Sequence, residues 1–182
     1  MNEFLSGFCW LPPKTRSGRI NLLFECNENF SLCSKNISMD LSKFNKSKFT
    51  TEGYVRKVEK PWGYELHWVP EGMPYMGKVL HINAGCRLSL QVHDVKRESY
   101  WLVSGECNLI LENSKGELET VSMQKGVGYT TSAGQKHRHQ AVTNCDIVEV
   151  SMPEQGTTWR LEDDYKRPDE TPEQRKLERG ER

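Results

Sequence analysis

The stretch GCRLSLQVHDVKRESYWLVSG, residues 85–105, decides the fold. Ser89, Gln91 and His93 recur at every second position, so an extended chain turns all three to one face. DVKR reads as a bend, Glu98 follows it, and Gly85 and Gly105 bracket the unit where tight turns need left-handed backbone. An amide oxygen, an imidazole nitrogen and a carboxylate form a donor set for a borderline divalent ion: zinc first, then iron, manganese or cobalt. The bland alternative is a solvated polar strand face.

Downstream, GVGYTTSAGQKHRHQAV (126–142) has glycines at 126, 128 and 134 ahead of His137, the pattern of a turn that delivers a histidine into a strand. His137 is therefore expected as the fourth ligand. His139 shares its face and Arg138 takes the opposite one. For His139, three roles stand open: general base, further contact, or core histidine satisfied by a neighbour.

The surrounding sequence has the same texture. GYELHWV, GKVLHINAG, SYWLVSGECNLILEN, ETVSMQKGVGYTTSAG and HQAVTNCDIVEVSM are short runs, several alternating apolar with polar, separated by turn signals such as NSKGE at 113–117. Without helical periodicity between them, they predict an all-β sandwich or closed jelly-roll barrel over residues 54–165. In GKVLHINAG, Lys78 and His81 fall on opposite faces; Lys78 either anchors an anionic ligand group or sits at the barrel mouth in water. Trp62, Tyr64 and Trp68 read as core aromatics or as walls of a sugar pocket.

Residues 1–53 carry Asn, Ser and Lys clusters (NENFSLCSKNIS, SKFNKSKFTTEG) and predict a poorly ordered extension. Residues 166–182 form a charged tail in which Thr171, Pro172 and Gln174 mark the start of a short solvated helix. No chemistry is assigned to that tail. The chain has 182 residues with 25 basic and 25 acidic side chains, so no net field draws it to nucleic acid or an anionic membrane. Its six cysteines form no C-x-x-C pair and predict reduced thiols. Glu3 and the interrupted apolar stretch after it do not make a signal peptide, and no run approaches the roughly 20 apolar residues of a membrane span. These features predict a soluble, cytoplasmic protein whose partner is a small molecule.

Residues 85–105 and 126–137 resemble, in spacing, the two motifs of the cupin superfamily. Gln91 stands where many cupins have histidine, Ser132 replaces the usual proline and Ala141 the usual asparagine. LSLQ ahead of His93, VEKPWGYELHW at 58–68 and WRLEDDYKR at 159–167 are similar to the cupin of type II mannose-6-phosphate isomerases, over residues 58–167. The resemblance implies a double-stranded β-helix barrel and one divalent metal held by Gln91, His93, Glu98 and His137. It further implies aldose–ketose isomerisation of a phosphorylated hexose, in carbohydrate or polysaccharide metabolism. Glu98 and His139 would be the groups that move the proton, with Lys78 at the phosphate. Pairing of two barrels into a homodimer follows from the resemblance alone. The family's second histidine and the arginine after it are here Val95 and Lys96, and Tyr100 stands where tryptophan is common. Those departures favour the alternative, a non-catalytic cupin that keeps the metal and binds a sugar or other metabolite.

Overall fold

The computed structural model describes residues 40–178, so the reading of residues 1–39 as an extension and the last four residues of the tail lie outside it. The chain divides into two compact units at Glu52/Gly53. Residues 40–52 of the first unit form two 3-10 turns, Leu41–Lys43 and Lys46–Lys48. Asp40 and Asn45 open them by accepting from the backbone N–H groups of Ser42 and Ser47. Nothing in these turns is buried, so they build no core of their own.

The second unit is a β-barrel of two antiparallel sheets. Its strands, in chain order, are β1 (Arg56–Lys60), β2 (Gly63–His67), β3 (Met76–Ile82), β4 (Leu90–His93), β5 (Glu98–Ser104), β6 (Cys107–Glu112), β7 (Leu118–Ser122), β8 (Gly128–Thr131), β9 (His137–Ala141), β10 (Cys145–Ser151) and β11 (Thr158–Glu162). A short helix, α1 (Pro172–Glu178), follows. One sheet has the order β1-β2-β3-β10-β5-β8, the other β11-β4-β9-β6-β7. This is the jelly-roll barrel expected from the sequence.

Alternation makes the strands and fixes their faces. Along β5, Glu98, Tyr100 and Leu102 are buried while Ser99, Trp101 and Val103 are exposed. The β5–β6 turn needs Gly105: its φ is 74°, and a Cβ there would stand 2.1 Å from the Asn144 carbonyl oxygen.

The interior is graded along the barrel axis. Cross-strand register aligns Leu80 with Ile147 and Ile147 with Leu102, while Ile82 faces Cys145. With Trp62, Leu109 and Met123 these side chains form an apolar floor. Two residues toward the other end of the same strands, the register reads His67, Lys78, Glu149, Tyr100. Each inward-facing row thus runs from apolar to charged, and the charged end is where chemistry is available. No helix among the described residues is long and apolar enough to cross a membrane.

Candidate metal centre

Both sheets contribute to the charged end. Gln91 and His93 project from β4, and Gln91 lies directly opposite His137 on β9. Glu98 opens β5 on the facing sheet, paired with Ser151 and Thr131. His93 Nε2 lies 3.0 Å and His137 Nε2 3.1 Å from Glu98 Oε2, and all three residues are buried. Their ligand atoms lie within 4.8 Å of one another, close enough to hold one metal ion. Gln91 Nε2 is 3.4 Å from the His93 nitrogen and 3.3 Å from that of His137, while its Oε1 accepts from Ser89 Oγ. A half-turn of the amide puts the oxygen toward the imidazoles.

The outer nitrogens of the two histidines test whether the residues suit a metal. His137 Nδ1 faces the Gln135 carbonyl oxygen at 3.0 Å, and a carbonyl only accepts, so Nδ1 carries the proton in that bond. In the neutral ring, Nε2 then presents a lone pair inward. His93 Nδ1 is likewise held, at 3.0 Å, by Thr158 Oγ1 on β11. Fixing the outer nitrogen so that the inner one can coordinate is how proteins orient metal-binding histidines. The donor set fits a divalent ion.

Lys96 is the neighbour that sequence analysis records only as a departure. It is buried, with Nζ 2.5 Å from Glu98 Oε1 and 3.0 Å from Glu149 Oε1. Burial opposes its charge, but Glu149 and Glu98 outweigh burial and raise its pKa. Burial also opposes ionisation of Glu98, yet Lys96 and hydrogen bonds from His137 and His93 hold it well below the usual carboxylate range. Tyr100 donates its hydroxyl to the same Glu98 Oε2. A site already organised around a charged carboxylate results.

The other proposed residues occupy distinct places. Lys78 points inward beside Glu154 and lies 3.5 Å from Glu65. His139 is buried behind the centre, edge-on to Tyr100 at 4.4 Å between ring centroids; its Nε2 has no partner and it does not line the pocket. Burial, and next His137, push its pKa down to about 3, so it stays neutral. Outside the barrel wall, His81 bonds to Asp146 and stacks on Tyr64. Arg138 holds the Leu88 and Glu162 carbonyls. Trp62 is core and Trp68 is exposed.

The centre opens into a pocket enclosing about 720 Å³, mouth included. Its walls hold residues to which sequence analysis gives no role: Glu65, Glu149, Glu154, Thr158 and Arg160, and from the tail Arg167, Glu170 and Arg175. For Glu149 a signal exists, since it continues the inward alternation of β10, whereas the two-residue spacing of Lys96 from Glu98 does not say what Lys96 meets. For the tail residues none exists: pairs such as Arg167–Asp163 and Arg175–Glu170 are local and read as those of a solvated segment, and only the fold turns them onto the pocket.

No protein-family model matches the chain, and no curated protein matches it. Solved structures do. Oxalate decarboxylase from Lactobacillus farciminis, in a formate complex, superposes with a TM-score of 0.52 at 17% identity, over 59% of this chain and 34% of that one. Oxalate decarboxylase from Bacillus subtilis gives a TM-score of 0.51 at 16% identity, over 59% and 30%. The barrel has the cupin fold. This chain spans about a third of those cupins' length, and at such identity the likeness carries the architecture only. The cupin fold and the candidate metal cluster thus rest on separate grounds, one on superposition and one on the geometry of His93, Glu98 and His137, which could hold an ion.

Proposed function

We propose that this cupin is a metal-dependent aldose–ketose isomerase of the mannose-6-phosphate isomerase kind. The observation that carries the reading is the placement of Lys96 and Glu149 on the pocket wall beside the His93–Glu98–His137 cluster. A bound divalent ion would polarise the oxygens of an open-chain sugar. Around it, His93, His137, Glu98 and, with its amide turned, Gln91 would hold that ion. Moving a proton between C1 and C2 then requires a base and a stabiliser of the negative charge on oxygen. Glu98 is engaged on both oxygens, and His139 faces away from the pocket. We assign the base to Glu149, which takes the proton from one carbon and returns it to the next. Lys96, held charged, stabilises the oxyanion, and Lys78 orients the chain of the sugar.

A second reading is favoured by the paired state of the pocket cations: Lys78, Lys96, Arg160, Arg167 and Arg175 each face a carboxylate. A site so neutralised also suits a cupin that binds a sugar without transforming it. The two separate by elemental analysis and turnover. Purified protein should carry one equivalent of metal, the His93→Ala/His137→Ala double variant none, and metal-loaded protein should interconvert mannose 6-phosphate and fructose 6-phosphate or the free sugars. Stoichiometric metal without any turnover would select the binding reading, and no metal in either protein would remove both.

A further inference from the structure

Seven charged side chains on the pocket wall form one unbroken chain of alternating sign. Lys60 Nζ is 3.9 Å from Glu65, which is 3.5 Å from Lys78. Lys78 contacts Glu154, which is 3.6 Å from Arg175. Arg175 is 3.0 Å from Glu170, and Glu170 is 2.8 Å from Arg160. The members come from β1, β2, β3, the β10–β11 connection, α1, the segment before it and β11, and all seven line the same pocket. None of their side chains is more than 17% exposed.

This alternation has consequences for what can lie against it. A phosphate monoester carries close to two negative charges at neutral pH and needs cations whose charge is not already compensated. Here a carboxylate stands beside every cation of the ladder. Glu65 is held well below the usual range, where burial is outweighed by Lys78 and Lys60, and Glu170 is likewise held down to about 2. With four cations to three carboxylates the ladder leaves only one positive charge uncompensated, and a dianion against it would meet three fixed negative charges at close range beside cations already drawn to them. A hydroxyl has the opposite requirement, because it donates one hydrogen bond and accepts others. Next to a carboxylate and an ammonium or guanidinium group it satisfies both, and successive hydroxyls along a carbon chain would meet successive members of the ladder.

We infer that the ion-pair ladder recognises the hydroxyls of an uncharged polyol chain, so that the pocket takes a free sugar in preference to its phosphate monoester. The inference rests on the reading of the pocket as a sugar site and departs from the phosphorylated substrate that the sequence resemblance implies. Mannitol and mannitol 1-phosphate, open-chain probes that cannot be isomerised, test it by calorimetric titration of the zinc-loaded full chain. Mannitol is expected to bind at least about tenfold more tightly. In Glu154→Gln and in Glu170→Gln, each of which removes one negative charge from the ladder, that preference should shrink several-fold or invert. Tighter binding of mannitol 1-phosphate by the wild-type chain, no binding of either probe, or a preference unchanged in both variants that fold would overturn the inference. Interconversion of mannose 6-phosphate alongside such a result would leave the isomerase standing, whereas polyol preference without any turnover would leave the ladder standing and remove the isomerase.

Discussion

Glu98 shows how much one carboxylate organises. Its Oε2 receives Tyr100 and faces two imidazoles, and its Oε1 faces Lys96, so removing Lys96 would leave Glu98 and Glu149 buried without their shared cation. Breaking a buried ion pair from one side costs roughly 3–5 kcal/mol. Lys96→Met should therefore lower the Tm of metal-free protein markedly. A divalent ion supplies positive charge at the same carboxylate, so zinc should raise the Tm of the variant by more than that of the wild type. Equal shifts would mean that Lys96 and the ion act independently. Glu149→Gln is expected to keep metal stoichiometry while lowering kcat by about two to four orders of magnitude, the usual contribution of a positioned base. At this scale the sequence was informative in proportion to locality: Gln91 and His93 sit in one strand whose period reveals their shared face, and Glu98 follows a bend only five residues on. Lys96 and Glu98 are also two apart, but without knowing what faced them, Lys96 could not be told from an ordinary surface lysine.

At the scale of elements, the tail is the part that local reading undervalues. Its composition is that of a solvated segment, and Thr171 does cap α1, accepting from the Gln174 N–H at 3.2 Å. Yet the helix delivers Arg175, buried, onto the carbonyls of Glu154 and Gly156 and the carboxylate of Glu170. Glu170 in turn exchanges backbone hydrogen bonds with Thr158, whose hydroxyl holds His93. The tail therefore reaches His93, a candidate metal ligand, through one intermediate residue. Arg175→Ala should weaken zinc binding about tenfold in competition with a chromophoric chelator, the lower end of what outer partners of metal ligands contribute. Acid should release the same segment. Because the Glu170 carboxyl is held down to about 2 against an ordinary 4.5, its contribution is complete above the ordinary value and disappears as pH falls toward 2. Protection of residues 163–178 against hydrogen exchange, corrected for the intrinsic rate at each pH, should fall over that window, and Glu170→Gln should remove much of the pH dependence.

Over the whole molecule, the barrel separates stability from chemistry along its axis. Leu102 on the floor is 2% exposed, and Leu102→Ala should cost about 2–5 kcal/mol in urea unfolding. Because the floor lies away from the ligands, zinc affinity of the folded variant should stay within about threefold of wild type, as for independent sites. The barrel itself was legible because short runs separated by turn residues, several of them alternating, recur from Tyr64 to Met152. The pocket was less so, since ladder members such as Lys78 and Glu154 lie 76 residues apart and only the closed barrel brings them together.

The axial grading also guards the pairing of the strands. Alternation forbids a slip of one residue, which would turn every inward side chain outward. It is blind to a slip of two, which restores the faces. In this barrel a two-residue slip of β3 against β10 would carry Lys78 to the level of Leu80, against Ile147, and take it out of reach of Glu149. The charged row thus acts as a ruler that measures each strand along its length. The groups that equip the pocket for its ligand also number the rungs of the barrel during folding.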